Sequence, residues 1–423
     1  MAKPQKPRAA RPLAWRLAFV YAALFLVVGC YLPYFPVWLY WRGLNMDEIA
    51  VLLATPLFTR IVFIPAISFL ADRVGDRRMI LIVLAWGSLA SFLILWATDG
   101  FWQMFLATLL IAANWNAIMP LTETVAMTGV RSGALDYGRV RLWGSLAFIL
   151  ASFGTGLVIG ELGAQTVLPL LVAGCALLVV GAHLLPRELT TRQRPGATML
   201  ERLKLADAFA LGRSPLFLLF LAAASLIHAS HSLIYTFGTL HWQAQGFPSG
   251  AIGGLWSVGV IAEIVLFAAS GRIVARHGAT RLLLLAGLAA ALRWSLMAAD
   301  PPLWATALLQ TLHALSFGAA HIAAMHFLTQ AVPEDRAATA QGVYAALVVG
   351  LIGGLVTLAS GPLYRALDGE AYGVMAVLAL IGAACAFLLM RQWSGGLVVG
   401  VAKKRRKAQP QSSAEGGETW PEA

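Results

Sequence analysis

Four ionisable side chains stand inside long apolar runs of the sequence: Arg60, Glu123, Glu263 and Arg293. A charge in hydrocarbon costs at least about 2.5–3.5 kcal/mol on insertion scales, so each of these groups needs water, a partner or a ligand. Two cations and two carboxylates at that depth can hold each other, bind an anion or carry a proton. Glu263 and Arg293 lie equally far from Gly278, which on an antiparallel helical hairpin means equal depth. They are expected to form a salt bridge, either permanent or opened during a proton-coupled cycle. The same reflection through Gly75 sets Arg60 opposite Ala90. Arg60 must therefore find its partner on another helix, Glu123 being one candidate, or in a ligand; its planar guanidinium suits bidentate binding of a carboxylate better than Lys would. Glu123 follows Pro120 and the polar Asn114 and Asn116. That setting fits a proton carrier, and the nearness of Arg139 and Arg141 fits a clamp at the helix end.

The other groups with chemical potential are softer. His228 and His231 share a helical face, and His313, His321 and His326 cluster further on. No carboxylate lies at ligand spacing beside the first pair, so no metal is expected; hydrogen bonding in a cavity and proton relay are the two readings. Tyr31, Tyr34, Phe35 and Trp38, with Tyr235, can form an aromatic wall for a planar solute or anchor helices at a membrane interface. Cys30, Cys175 and Cys385 are far apart in apolar runs and read as small core residues. There is no P-loop, no Gly-x-Ser-x-Gly and no His-Glu-x-x-His. Neither an enzyme nor direct use of ATP is expected, and no cofactor.

The elements that must position these residues are membrane helices. The chain has 423 residues, 59% apolar and 12% charged, with mean hydropathy +0.75, where soluble chains run nearer about 45–50% and 25%. A soluble enzyme, a secreted disulfide scaffold and a disordered protein are excluded on that balance. Runs long enough to cross a bilayer predict twelve helices, at 15–40, 49–71, 79–97, 102–127, 140–160, 164–185, 214–240, 250–271, 281–299, 303–330, 340–360 and 372–392. Of the 31 Lys and Arg, Arg60 and Arg293 fall inside spans and Arg42 and Arg365 on one side; all the others fall on the opposite side. That asymmetry predicts both termini in the cytoplasm. It also explains the net charge of +11 without nucleic acid, since the Lys403–Lys407 run would rest on anionic lipid. The predicted plan is a basic tail (1–14), a six-helix bundle (15–185), a cytoplasmic linker (186–213), a second bundle (214–392) and a basic, then disordered, tail (393–423). The basic N-terminus leads into a full span and does not read as a cleavable signal.

A fixed offset of 203 residues relates the halves: Gly43 meets Gly246, Ile49 meets Ile252, Arg73 meets Arg276, Gly75 meets Gly278 and Arg78 meets Arg281. Arg60 then aligns with Glu263, Glu123 with His326, and Ala90 with Arg293. Two parallel repeats of six helices predict a solute site between the bundles near the midplane.

The segment Ser68–Ile80 resembles the signature loop of the major facilitator superfamily, G-x-L-A-D-R-x-G-R-R-x-x-L. Leu70, Ala71, Asp72, Arg73, Gly75 and Arg77 match, while Ser68 replaces a Gly and Asp76 a basic residue. Within that superfamily, residues 135–145 (LDYGRVRLWGS), Pro120–Glu123, Trp256 to Glu263, and Gln310 with His313 resemble the phenylpropionate permease family. The resemblance covers Trp15 to about Trp393. It implies an all-α membrane protein of the superfamily's twelve-helix fold, acting as a bacterial inner-membrane proton symporter driven by the proton gradient, with aromatic acids as substrate class. Related permeases carry nucleosides or sugars, which is the alternative; a transport-inactive sensor or scaffold is the other, and four buried charges argue against it. Arg60, Tyr31, Tyr34, Trp38, Asn114, Asn116, His231, Tyr235, Gln310 and His313 are the expected substrate residues. Glu123, Glu263, Arg293 and His321 are expected to couple protons. Asp72, Arg73, Gly75, Arg77, Arg139 and Arg141 are expected to form a conformational lock. The partners expected are a small solute and the lipid bilayer, with the chain acting as a monomer.

Overall fold

A computed structural model describes residues 10–133, 135–186 and 205–398, and in it every long apolar run is helical. The expected N-terminal tail, most of the linker and most of the C-terminal tail lie outside the described residues. Eleven helical stretches are long and apolar enough to cross a membrane. The first six helices are α1 (Ala10–Trp41), α2 (Met46–Val74), α3 (Arg77–Trp96), α4 (Phe101–Arg131), α5 (Tyr137–Leu162) and α6 (Val167–Leu184). After a short helix at Leu205–Gly212 come α7 (Pro215–Ala244), α8 (Ser249–His277), α9 (Ala279–Met297) and α10 (Leu303–Ala331). The eleventh stretch, Glu334–Gln392, is 59 residues long. It divides at a turn, Asp368–Glu370, where Asp368 takes φ 45°, into α11 (337–367) and α12 (Ala371–Gln392).

Local chemistry sets the helix ends. Asn45 and Glu48 form a reciprocal capping box that starts α2. Gly75, at φ 76°, ends it by turning its N–H onto the Ala71 carbonyl, a left-handed conformation that a side chain resists. Asp76, the departure from the superfamily's signature, then caps α3 by accepting from the Met79 N–H at 3.0 Å. The internal repeat reappears in these boundaries: α2 and α8 are both 29 residues long, 203 positions apart, and Gly75 and Gly278 both have positive φ.

Four long helices are interrupted. α4 breaks between Trp115 and Ile118, α7 between Ala229 and Ser232, and α10 and α11 carry wide π turns at Ala314–Gly318 and Ala345–Ile352. Such breaks free backbone groups at membrane depth and are tolerated where the backbone is buried in protein or lines a cavity. α1 runs through Pro33 and Pro36 as one helix. Residues 33–39 are buried in the core, and packing holds the chain across the missing N–H groups.

Three apolar clusters show how the halves meet. One holds only residues of α1–α6 and the adjoining Leu185, including Leu17, Ala71, Leu84 and Val125. Another holds only residues of the second half, including Phe220, Leu283 and Phe327. The third mixes both halves, with Tyr34, Trp38 and Ile49 against Phe237, Ile252 and Tyr372, and lies toward the end that carries Gly43 and Gly246. The halves are thus joined at the Gly246 end and have separate cores toward the Gly75 end.

At the joined end α5 and α8 touch backbone to backbone. Tyr34 Oη donates to the Ser152 carbonyl at 2.8 Å, Ser152 and Ser257 hydroxyls meet at 3.1 Å, and an added Cβ at Gly156 or Gly253 would strike the opposite helix. Across the other seam, Arg365 pairs with Asp47 at 3.1 Å.

Candidate functional site

Between the halves lies a cavity of about 470 Å³, within the range of small-molecule sites. α1, α2 and α5 line one side with Phe25, Val28, Leu57, Arg60, Arg141 and Phe148. α7, α8, α9 and α10 line the other with His228, Tyr235, Trp256, Glu263, Arg293, Gln310, His313 and Phe317. α4, which carries the expected substrate residues Asn114 and Asn116, contributes none of the lining side chains.

Arg60 reaches this cavity, and among the described residues it has no hydrogen-bond or ion-pair partner; its Nε is buried and unpaired. The alternative in which Glu123 neutralises it is not what the structure shows. Glu123 Oε1 lies 3.8 Å from Arg141 Nε instead. The Arg141 guanidinium stacks 4.2 Å over the Phe25 ring and faces the cavity. Sequence reasoning counted Arg141 with the cytoplasmic side and offered it as a clamp for Glu123 at the helix end, although the span drawn from residue 140 already contained it. The signal was available: Asp136 accepts from the Arg139 N–H and starts α5 at Tyr137, which puts Arg141 inside the helix.

Glu263 and Arg293 do not form the direct salt bridge that equal depth predicts. His313 stands between them: Arg293 Nη1 donates to His313 Nδ1 at 3.1 Å, and His313 Nε2 lies 3.6 Å from Glu263 Oε1. Depth was correct, but the Arg293 side chain turns toward α10, where it also donates to Gln310 Oε1 and, at 3.4 Å, to Ser316 Oγ. Because guanidinium only donates, His313 Nδ1 must accept, so the neutral ring carries its proton on Nε2, pointed at the carboxylate. A second ordered chain runs behind it. His231 Nδ1 donates to the Ile227 carbonyl at 3.0 Å, which leaves Nε2 to accept from Ser316 at 3.1 Å. Glu263 Oε1 and Gln310 Nε2 are buried without hydrogen-bond partners. Unpaired polar atoms on several helices therefore converge on one space.

Of the other expected substrate residues, Tyr235 and Gln310 line the cavity and Tyr31 lines a smaller chamber beside it. Tyr34 and Trp38 do not: both are fully packed at the joined end, Tyr34 against Ser152 and Trp38 beneath Arg42. Asn114 donates to Leu110 O and Ser91 Oγ toward α3, and Asn116 donates to the Pro56 carbonyl. His231 is fully buried behind the wall. In each case the residue type suited a cavity but the helix rotation, which spacing alone does not give, turned it elsewhere. His228, by contrast, borders this cavity, the smaller chamber and a further pocket near Phe317 and Tyr344, which His321 also lines.

In the signature loop Arg77 pairs with Asp72 at 3.1 Å and Arg78 donates to the His183 carbonyl at 2.8 Å. Arg73 is exposed. Among the described residues, Arg139 pairs with Asp136 of its own helix start, 3.3 Å away at an exposed position. Sequence reasoning missed a further tie at the same end, Arg336 to Asp207 at 3.0 Å, which fastens the short helix to the start of α11.

The MFS_1 like family model matches residues 14–372. The chain is 34% identical over 370 residues to the probable 3-phenylpropionic acid transporter of Escherichia coli (strain K12), covering 86% of this chain and 94% of that protein. It is 30% identical over 309 residues to the maltose permease of Geobacillus stearothermophilus, covering 72% and 76% respectively. The solved structure of the nucleoside transporter NupG, as a D323A mutant, superposes with a TM-score of 0.80 at 19% identity, over 90% of this chain and 99% of that one.

Proposed function

The chain belongs to the MFS_1 like family and is a secondary transporter of the membrane, and on that premise we propose that it carries a small aromatic carboxylic acid together with protons. The observation that carries this reading is Arg60, a cation in the cavity wall without a partner among the described residues. An arriving carboxylate would satisfy it bidentately and only while bound, so occupancy favours a state closed around the solute. The name of the 34% identical relative points to the same substrate class.

Proton coupling follows from the second charged group in the same space. An anion entering the cavity is repelled by a charged Glu263, and protonating Glu263 removes the repulsion, so anion and proton favour each other's binding. His313, aimed at Glu263 with its Nε2, is placed to pass that proton, and Arg293 orients the ring. The transporter crosses a bacterial inner membrane twelve times, with α11 and α12 as separate crossings and both termini in the cytoplasm. The Gly75 end is then cytoplasmic, and the state with separate cores at that end is inward-facing.

The test is ligand binding to purified wild type and Arg60→Lys, using 3-phenylpropionate and its neutral amide. Arg60→Lys should weaken acid binding by about ten- to a hundredfold, from the roughly 1.5–3 kcal/mol of a charge-assisted hydrogen bond. Equal affinity of wild type for acid and amide would overturn the carboxylate reading and move the substrate to a neutral solute such as a sugar or nucleoside.

A further inference from the structure

A chamber of about 170 Å³ adjoins the main cavity, and the two share Leu57, His228, Tyr235 and Val349 in their walls. Three helices agree on the direction in which it leads. On α2 its lining runs back from Leu57 to Leu53, seven residues before Arg60 and about 10 Å along the axis at 1.5 Å per residue. On α7 it runs from His228 to Thr236, and on α11 from Val349 to Thr357. The chamber therefore starts at the level of Arg60 and extends toward the joined Gly246 end.

Its walls suit a ring. Tyr31, Leu53, Leu57 and Tyr235 present aromatic and branched apolar surface, and no Asp, Glu, Lys or Arg lines it. With a water's share of liquid at about 30 Å³, the volume is that of a few waters or one ring. At the far end stand two threonines of different standing. Thr236 gives its hydroxyl to the Ser232 carbonyl at 2.7 Å, as Thr55, Thr59, Thr122, Thr124 and Thr128 do to carbonyls one turn back. Thr357 is only 5% exposed, yet its hydroxyl makes no hydrogen bond among the described residues. Thr357 borders the chamber, so its unpaired hydroxyl is open to a hydrogen-bonding group that enters there.

We infer that this chamber is the aryl subsite of the transporter, and that Thr357 reads a hydroxyl or similar hydrogen-bonding group on the ring. The inference rests on the carboxylate sitting at Arg60, which sets the ring one to two helical turns deeper. It makes ring-hydroxylated arylpropionates better ligands than the unsubstituted acid.

The experiment measures binding to purified full-length protein of 3-phenylpropionate, its 3- and 4-hydroxyphenyl analogues and butyrate, which ends short of the chamber, together with the amide of each. Wild type should prefer aryl over butyl ligands, and one of the ring hydroxyls should add about three- to tenfold, the net worth of a hydrogen bond. Thr357→Val should erase the hydroxyl gain while leaving 3-phenylpropionate affinity within about twofold. Leu53→Trp, which fills the chamber, should cut aryl affinity by tenfold or more and spare butyrate. If Leu53→Trp does not fold, Thr357→Val alone decides. Aryl preference that is absent, or that survives Leu53→Trp, overturns the subsite; no hydroxyl gain, or a gain that Thr357→Val keeps, overturns the role of Thr357. The acid-over-amide preference reports Arg60 separately. Amides binding as well as acids, with an aryl preference still lost in Leu53→Trp, would remove the carboxylate reading and leave the subsite standing.

Discussion

The contact between α5 and α8 gives the sharpest handle on the conformational cycle. A Cβ on Gly253 would press on the Ser152 carbonyl oxygen and sit 2.8 Å from Phe153 Cα and 2.9 Å from Tyr34 Oη. Ordinary contact between carbon atoms is about 3.5–4.0 Å, so the two helices would have to part by roughly an ångström. Two of the three obstructing atoms are backbone and cannot rotate away. Overpacking of this kind costs about 1–3 kcal/mol, and it is paid only in the state where the Gly246 end is joined. Gly253→Ala should thus shift the equilibrium away from this state by about five- to 150-fold. The assay uses Ser152→Cys with Ser257→Cys, whose hydroxyl oxygens now lie 3.1 Å apart, and follows disulfide formation under mild oxidant with and without Gly253→Ala. Cross-linking should slow by the same factor while the melting temperature in detergent falls by only a few degrees. Cross-linking at the wild-type rate in the triple variant would refute the claim that this glycine contact defines the joined state.

The remaining predictions concern the polar network. Gln310→Leu removes an acceptor from the buried Arg293 guanidinium and should destabilise the protein by about 1–3 kcal/mol, read as a lower melting temperature of purified protein. Glu263→Gln should fold, because Glu263 faces His313 and not Arg293 directly. It should exchange labelled solute across proteoliposomes but fail to accumulate it when a pH gradient is imposed to drive uptake; accumulation at the wild-type level would remove Glu263 from coupling. Asp47→Asn breaks an ion pair with Arg365 whose side chains are 40% and 65% exposed. After screening by solvent such a pair is worth about 0–1 kcal/mol, so unfolding should be nearly unchanged.

How far the sequence reached can be judged residue by residue. Helix ends are local chemistry, which is why the offset that pairs Gly43 with Gly246 and Gly75 with Gly278 reappears as matching positive-φ turns. Charges at membrane depth are legible because hydrocarbon tolerates them only near water or partners, and Arg60, Glu263 and Arg293 do border one cavity. Rotation about a helix axis is a tertiary property, and there the reading failed. Tyr34, Trp38 and His231 are packed in protein, while Asn114 and Asn116 turn to Ser91 and the Pro56 carbonyl. Reflection through Gly278 likewise fixed the depth of Glu263 and Arg293 but not the side from which His313 enters. The wide turn at Ala314–Gly318 adds a residue to α10 just after His313 and re-aims that face, a shift that no heptad or 3.6-residue count reveals.

The same magnitudes bear on why a small solute can drive so large a change. Opening the Gly246 end would expose the apolar cluster shared by the two halves, and a cycle that runs both ways requires closure of the Gly75 end to bury surface that offsets it. The polar seam then contributes to the balance. The Tyr34 bond to Ser152 and the Ser152–Ser257 contact are each worth about 0.5–1.5 kcal/mol. The exposed Asp47–Arg365 pair adds about 0–1 kcal/mol. A ligand shifts an equilibrium only by its differential affinity for the two states. The proposed carboxylate, if Arg60 holds it in one state and loses it in the other, would supply about 1.5–3 kcal/mol, the same order as the seam. On the proposed reading, a seam of this strength is one that a single bound anion could tip, with the unpaired Arg60 in the cavity wall giving that anion its leverage.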